Sequence, residues 1–434
     1  MKQPPYSCSR RQFLKNAALG AAAFSILPAK QVAGLKVARR IGPNDRIGLG
    51  VIGTGGMGRR HIEAFAENEQ CDLVALCDAA VGRFMPVAEW VEENTGKRPE
   101  LEQDFRRLLE RDDIDAIVVA TPDHWHPLMT VMGCEAGKDV YVEKPASVTV
   151  SEGRAMVEAA RRYGRVVQLG SQQRSMEVFH RAMDIIHGGR LGQITTATAW
   201  VGINPWGVGE VPTDVPRGLD WDLWLGPAPK VPFSNERFGG WMGWHDYARG
   251  GQLTNWGIHL LDIVHWGIGQ DKPISVQALG GSYRGNVGQD NYETIEAVFE
   301  YPGCTVTWEQ RFNHTPENRG LGIAFYGTEG ALFVDRGTVV VRPDALGIPE
   351  FVGEPEKSWA HPPHHNDFFE CIRTRRRPAA DIEQGHLSTV APLLAGIALK
   401  TRRKLYWNAQ EERFVNDPQA DKHLTRAYRA PWRL

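Results

Sequence analysis

Gly53-Thr54-Gly55-Gly56-Met57-Gly58 follows directly on the apolar run Ile47–Ile52. The glycine spacing is G-x-G-x-x-G, and its setting predicts strand, tight turn and helix in succession. Gly53 permits the sharp turn, Gly55 lets a pyrophosphate approach the backbone, and Gly58 lets the helix pack close to the strand. The pyrophosphate then rests on free N–H groups at the helix N-terminus, with Thr54, Gly56 and Met57 completing the loop. A second apolar run, Leu73–Cys77, ends in Asp78. An acid at that point accepts hydrogen bonds from ribose hydroxyls and repels a 2′-phosphate, which favours NAD over NADP.

Further strand-length apolar runs recur at Ala116–Ala120, Val140–Val142 and Val166–Leu169. Helical stretches lie between the runs, at Arg59–Glu67, Phe105–Glu110, Leu128–Ala136 and Ser151–Tyr163. Such alternation predicts an α/β fold with a doubly wound parallel sheet, whose ligands bind at the carboxyl ends of the strands. Three successive strand ends carry polar residues: Thr121-Pro122-Asp123-His124-Trp125-His126, then Glu143-Lys144-Pro145, then Gly170-Ser171-Gln172-Gln173-Arg174. Thr121, Pro122, His126, Glu143, Lys144 and Gln172 are therefore expected along the cofactor.

After residue 175 the chain changes character. Trp200, Trp206, Trp221, Trp224, Trp241, Trp244, Trp256 and Trp266 fall within one Gly- and Pro-rich stretch. Such rings suit either a sugar face or core and interface packing. The runs Ile274–Leu279, Thr294–Phe299, Thr305–Gln310, Gly322–Tyr326 and Thr338–Val341 predict a large, mostly antiparallel sheet.

The N-terminus reads as an address. Ser9-Arg10-Arg11-Gln12-Phe13-Leu14-Lys15 precedes the apolar run Ala17–Leu27, the pattern of a twin-arginine export signal. That run is too short to span a bilayer. Ala29 and Ala33 are candidate cleavage positions. Export by this route places the protein in the periplasm or another extracytoplasmic space. With no obvious pool of free dinucleotide there, the cofactor is expected to be retained and recycled.

The 434 residues suffice for two cored domains, and a net charge of −2 gives no electrostatic case for nucleic acid. The run Arg373–Arg377 reads as a solvated helix end. Cys71, Cys77, Cys134, Cys304 and Cys371 are scattered, without a C-x-x-C, and suggest neither a disulfide framework nor a zinc site. His124 with His126, and His361 with His364 and His365, give too few placed ligands for a metal; the second group reads as loop polarity.

These residues carry a family resemblance. The chain resembles the Gfo/Idh/MocA oxidoreductases, the family of glucose–fructose oxidoreductase and inositol dehydrogenase, over nearly everything after residue 45. The resemblance rests on Gly53-x-Gly55-x-x-Gly58, on Thr121-Pro122 with His126, on Ala136-Gly137-Lys138-Asp139-Val140 leading into Glu143-Lys144-Pro145, and on Gly250–Asp262. Trp125-His126 and the terminal Tyr428–Leu434 are similar to an exported subgroup. The resemblance implies a Rossmann domain, an α/β domain whose open sheet mediates oligomerisation, and pyranose or polyol substrates. It divides the chain into a signal and linker at 1–40, an NAD-binding domain at 45–172 and a substrate and oligomerisation domain at 173–434. The last helices, about 364–405, are expected to pack back on the first domain.

The family's catalytic lysine maps onto Lys144. Its acid-then-histidine element maps onto Asn255 and His259, four residues apart on one helix face. Asn255 is a departure, because an amide binds a hydroxyl but takes up no proton. His259 is thus the expected partner of Lys144 in acid–base work. Arg174 and Tyr247 are expected substrate contacts, and His180 is near enough to reach the cleft. Three functions follow: an NAD-dependent oxidoreductase acting on a sugar carbinol, a glycoside hydrolase or lyase that oxidises its sugar transiently, and a sugar-binding protein without catalysis. The expected assembly is a homo-oligomer with no membrane span.

Overall fold

The structure is a computed structural model that describes residues 41–42, 45–203, 209–283, 290–312, 315, 319–353 and 361–434. The export signal, Cys8 and Trp206 lie outside the described residues.

The first sheet has six parallel strands: β1 (Ile47–Ile52), β2 (Cys71–Cys77), β3 (Glu100–Glu102), β4 (Ala116–Val119), β5 (Asp139–Val142) and β6 (Val167–Leu169). Their order across the sheet is β3-β2-β1-β4-β5-β6, so the order in which strands are added reverses between β1 and β4. That reversal opens a crevice at the carboxyl edge. Every residue of β1, β4, β5 and β6 is buried, which is why these strands read as unbroken apolar runs. The strand at Glu100–Glu102 was not legible, because three residues of mixed burial carry no apolar period. The helix Val81–Thr95 was also missed, and it holds Pro86 within its first turns.

The second sheet has ten strands in the order β14-β13-β12-β11-β7-β10-β9-β8-β15-β16. In chain order they are β7 (Ile194–Ile203), β8 (Ser275–Gly281), β9 (Thr294–Tyr301), β10 (Cys304–Phe312), β11 (Leu321–Gly327), β12 (Ala331–Val334), β13 (Thr338–Arg342), β14 (Phe351–Val352), β15 (Leu405–Asn408) and β16 (Arg413–Phe414). Only the β7–β10 pair is parallel among these ladders. In β9 buried and exposed positions alternate strictly, so one face packs on helices and the other carries Glu296, Val298 and Glu300 outward. The α/β class and the pairing of a parallel with a mostly antiparallel sheet are as the sequence predicts.

The late helices bridge both sheets. Phe368, Phe369 and Ile372 of the helix Pro362–Thr374 share a core with Ile47 and Leu49 of β1. In the helix Ile382–Thr401, Ile382 packs with the β5 and β6 residues while Val390 through Ala398 pack under the ten-stranded sheet. Arg375, in the run Arg373–Arg377, bonds Asp139 at 2.7 Å and so ties this helix end to β5 instead of facing water alone. Five cysteines are buried free thiols. No helix among the described residues is long and apolar enough to cross a membrane.

Candidate active site

The glycine turn forms one end of a cleft of about 630 Å³. Gly53 has φ of +91°, and a Cβ there would lie 2.5 Å from the Ala120 carbonyl oxygen. At Gly58 a Cβ would lie 1.8 Å from the carbonyl oxygen of Gly53, so the helix Gly56–Ala66 docks against the turn only without a side chain. Gly55 and Gly56 differ in kind. A Cβ at Gly56 meets nothing within 4 Å, and one at Gly55 meets only Arg83 Nη1 at 3.5 Å. The helix start has no side-chain cap and no acid in its first turn. Unfilled space above bare N–H groups suits the pyrophosphate of a dinucleotide, and the residues present fit that group.

Asp78 lines the same cleft. Its Oδ2 accepts from Thr54 N at 2.9 Å and Thr54 Oγ1 at 3.2 Å, and its Oδ1 accepts from Ala80 N at 3.0 Å. The carboxylate thus braces the glycine turn and keeps lone pairs for ribose hydroxyls. Arg83, which the sequence reading passed over, stacks its guanidinium 4.0 Å above the Phe238 ring beside Gly55.

The same cleft is also lined by Thr121, Pro122, Asp123, Glu143, Lys144 and Asn255, with Thr121 next to Gly53. Strands β4 and β5 are paired with Val119 opposite Val142, so the loops after them leave the sheet side by side. Lys144 Nζ donates to Asn255 Oδ1 at 2.5 Å. Asn255 Nδ2 donates in turn to Gln252 Oε1 at 2.9 Å, which fixes which way the amide faces. Burial pushes the Lys144 amine down, against the upward pull of Glu143 and Asp123, and the Arg336 charge adds to the fall. Burial raises the Glu143 carboxyl, but a hydrogen bond to His61 and the nearby charges of His61 and Lys144 outweigh it and hold the group low. Burial pushes the Asp123 carboxyl well up, Lys144 pulls it back and Glu143 adds to the rise.

Trp224, Phe238, Trp241 and Met242 form the wall facing these polar groups. Trp221, Trp224, Phe233, Trp244 and Tyr247 make a small separate core behind that wall. Core packing therefore claims most of the tryptophans of this stretch, while Trp241 and one face of Trp224 meet the cleft.

Several expected contacts stand elsewhere. His259 is buried one turn beyond Asn255, is absent from the cleft wall, and leaves its Nδ1 without a hydrogen-bond partner. Burial, with the charges of Lys144 and Arg336, holds its ring well below the ordinary histidine range, hence neutral. His126 is buried, with ring nitrogens 2.7 and 2.9 Å from the carbonyl oxygens of Pro145 and Thr121. It staples the two strand-end loops together and does not line the cleft. Gln172 is buried and also off the cleft wall. Tyr247 is fully buried, its hydroxyl 3.4 Å from Arg237 Nη1. His180 bonds the Arg174 carbonyl oxygen at 2.9 Å.

Arg174 is engaged within the fold as well. Its guanidinium makes a two-pronged pair with the buried Asp262, at 2.7 and 2.8 Å, and Ser388 Oγ also donates to that carboxylate. It holds the helix Gly257–Ile268 in place and does not line the cleft. Asp262→Ala is expected to cost about 3–5 kcal/mol, since it strands a part-buried cation. The shift of the urea midpoint measures this.

His364 and His365 sit on the helix Pro362–Thr374, not on a loop. His365 Nε2 lies 3.0 Å from His61 Nδ1, and His61 Nε2 lies 2.8 Å from Glu143 Oε1. This chain anchors Glu143 from behind. No cluster of metal-ligating side chains occurs among the described residues. The terminal segment also reaches the site: Arg426 donates to the His124 carbonyl oxygen at 2.9 Å, and Trp432 packs edge-on against Trp125 at 4.9 Å.

Comparison with known proteins agrees with this geometry. A Shewanella baltica protein named as a glycosyl hydrolase family 109 protein is 33% identical over 174 residues, which is 36% of this chain and 38% of that protein. The chain therefore spans well under half the length of the curated relatives it matches. An aldose–aldose oxidoreductase from Caulobacter crescentus, solved with glycerol, superposes with a TM-score of 0.63 at 22% identity, covering 83% of this chain and 99% of that one. The WlbA dehydrogenase from Bordetella pertussis, solved with NADH and UDP-GlcNAcA, superposes with a TM-score of 0.63 at 21% identity, covering 84% of this chain and 99% of that one. Residues 47–171 match the oxidoreductase family's NAD-binding Rossmann fold, and residues 192–434 match its C-terminal alpha/beta domain. The chain belongs to the Gfo/Idh/MocA oxidoreductase family, and its cofactor is NAD.

Proposed function

We propose that this protein is an NAD-dependent oxidoreductase that moves a hydride at a carbinol carbon of a pyranose sugar or sugar derivative, with the cofactor retained between turnovers. One observation carries the reading: the bare glycine turn and Lys144 line a single continuous cleft. Gly53–Met57 and Asp78 would hold the dinucleotide, and Thr121 and Pro122 would flank its nicotinamide end. Bound there, NAD supplies the hydride acceptor and donor.

Lys144 does the proton work in this reading. Burial lowers its proton affinity, so a neutral amine becomes accessible nearer neutral pH. One N–H donates to Asn255 Oδ1, which holds the nitrogen within the cleft. Its lone pair takes the carbinol proton during oxidation and returns it during reduction. Asn255 orients and His259 stays neutral behind it. The aromatic wall of Trp224, Phe238 and Trp241 stacks on a sugar face and sheds water.

The matched stretch shared with glycosyl hydrolase family 109 proteins favours a second reading. There the same cleft would oxidise a glycoside transiently, let the new carbonyl acidify a neighbouring C–H, expel the aglycone, add water across the resulting double bond and then reduce the sugar. A panel of free sugars and aryl glycosides, assayed with NAD, separates the two. Net NADH formation from a free sugar supports the first, aglycone release without net NADH the second, and binding with neither a non-catalytic role.

Export and assembly belong to the same proposal. Arg10-Arg11 ahead of Ala17–Leu27 supports twin-arginine export to an extracytoplasmic space. Replacing both arginines by lysine is expected to leave the protein in the cytoplasm, as cell fractionation would show. Leu279, Val298 and Tyr406 stand exposed on the ten-stranded sheet, which supports a homo-oligomer.

A further inference from the structure

A second cavity, of about 290 Å³, lies apart from the cleft and shares none of its lining residues. Its floor is aliphatic, made by Val148, Val150, Leu253, Ile295, Leu393 and Ile397, all of them buried. Among the described residues no tryptophan or phenylalanine lines it, whereas the cleft carries Trp224, Phe238 and Trp241. Flat rings suit a sugar face. An aliphatic floor suits a flexible alkyl chain.

Gly396 keeps this space open. It lies inside the helix Ile382–Thr401 and lines the cavity. A glycine inside a helix weakens it relative to alanine. A Cβ here would meet only Leu253 Cδ2, at 3.9 Å, so no crowding demands the glycine. The helix leaves empty a place that a side chain would fill.

The rim is cationic. Arg249, Lys400 and Arg402 line the cavity against one acid, Asp290. Burial holds the His245 and His423 rings low, hence neutral. Lys400 and Arg402 are exposed at the C-terminal end of their helix, where cations complement the dipole and need no other partner. Arg249 has no such reason to be there. It is half-buried, and among the described residues no hydrogen bond or ion pair reaches its guanidinium. Asp290 accepts from the His245 backbone N–H at 2.9 Å. Glu152 and Asp246, the acids whose charge acts on Arg249, are paired with Arg426 at 2.7 Å and with Arg237 at 3.2 Å. Burial and the Arg426 charge both work against the Arg249 cation. A cation in that position favours an anion beside it. Its planar fork matches a carboxylate.

We propose that this cavity binds an aliphatic carboxylate, with the alkyl chain over Leu253, Leu393 and Ile397 beside Gly396 and the carboxylate on Arg249. Lys400 and Arg402 flank the mouth. The site stands back to back with the cleft wall. Trp241 and Met242 line the cleft, while His245 and Arg249 line the cavity. Asn291, in the cavity wall, donates from Nδ2 to the Met242 and Ala248 carbonyl oxygens at 2.7 and 2.9 Å. One segment, Trp241–Arg249, thus contributes to both walls.

This inference does not depend on the oxidoreductase reading. Calorimetric titration of the full-length protein with decanoate, kept below its micelle concentration and with NAD in excess to fill the cleft, tests it. Decanoate is expected to bind at a single site. Decanol, which lacks the charge, and acetate, which lacks the chain, are expected to bind about tenfold more weakly or worse. The same loss is expected for decanoate with Arg249→Gln, since a charge-assisted hydrogen bond is gone. Gly396→Leu puts a side chain into the cavity and is expected to weaken decanoate equally, with the urea midpoint and NAD binding unchanged. Should Gly396→Leu prove unstable, Arg249→Gln and the ligand series decide. The proposal is overturned if decanoate does not bind, if decanol or acetate binds as tightly, or if Arg249→Gln binds decanoate as well as the wild type. Unchanged binding by a folded Gly396→Leu variant would place the ligand elsewhere and overturn it too.

Discussion

Lys144→Ala is expected to lower kcat by about 10²- to 10⁴-fold, the range that a positioned acid–base group contributes, while NAD remains bound. The separation of the two effects follows from the geometry. Gly53–Met57 and Asp78, which would hold the dinucleotide, make no hydrogen bond to the Lys144 amine, whose own bond is to Asn255. Removing the side chain also removes its hydrogen bond to Asn255, yet Asn255 keeps its bond to Gln252 and the helix start keeps its form. The measurement is paired: stopped-flow absorbance of the nicotinamide with the best sugar, and cofactor content of the purified variant by mass spectrometry. In the wild type the rate of oxidation rises with pH through the lowered midpoint of the amine, because the neutral form takes up the carbinol proton. In the alanine variant that limb of the profile is expected to vanish. A variant that retains wild-type turnover would remove Lys144 from the mechanism.

The second large effect contrasts two glycines of one motif. Gly58→Ala puts a methyl 1.8 Å from the Gly53 carbonyl oxygen, an impossible approach that must push the helix Gly56–Ala66 off the sheet. Loss of stability on the order of 3 kcal/mol is expected, as for an overpacked core, and cofactor binding goes with it. Gly55→Ala is different. Its backbone is extended, with φ of −69°, and its Cβ meets only Arg83 Nη1 at 3.5 Å. The folded protein is expected to lose no more than about 0.5 kcal/mol. The added methyl stands where the pyrophosphate would approach the backbone, so NAD affinity is expected to fall tenfold or more, each tenfold being about 1.4 kcal/mol. Urea unfolding and calorimetric titration with NAD read the two quantities separately. Equal damage to stability in both variants would show that the loop is structural alone.

Particular residues show why part of the site was legible and part was not. The glycine turn, Asp78, Lys144 and Asn255 all line the cleft; the first two were identified from local patterns, and Lys144 and Asn255 through the family resemblance. The turn is legible because backbone conformation and close approach demand glycine at fixed spacings, whatever the rest of the chain does. Lys144 is legible because it follows a buried strand directly in an E-K-P step. Arg174, Tyr247, Gln172 and His126 were expected beside the ligand and are engaged elsewhere. Each is chemically able to touch substrate. Three of them are engaged by other residues: Asp262, 88 residues on, for Arg174, Arg237 for Tyr247, and the Pro145 carbonyl oxygen for His126. Conversely Arg83, Phe238 and Met242 carry no motif, and only the folding of distant loops onto one crevice brings them to the wall.

The primary sequence alone determined the α/β class, the parallel sheet and its carboxyl-edge crevice, the glycine cradle and the lysine. These features are written in short-range periodicity and in steric demands that act within a few residues. Tertiary structure alone decided which polar side chains are free to act. His124, Trp125 and His126 stand in one block with Asp123, yet neighbouring carbonyl oxygens engage all three rings, and of these four residues only Asp123 and Trp125 line the cleft. Whether a buried charge is spent or available depends on partners some hundred residues away, and no local pattern encodes that distance.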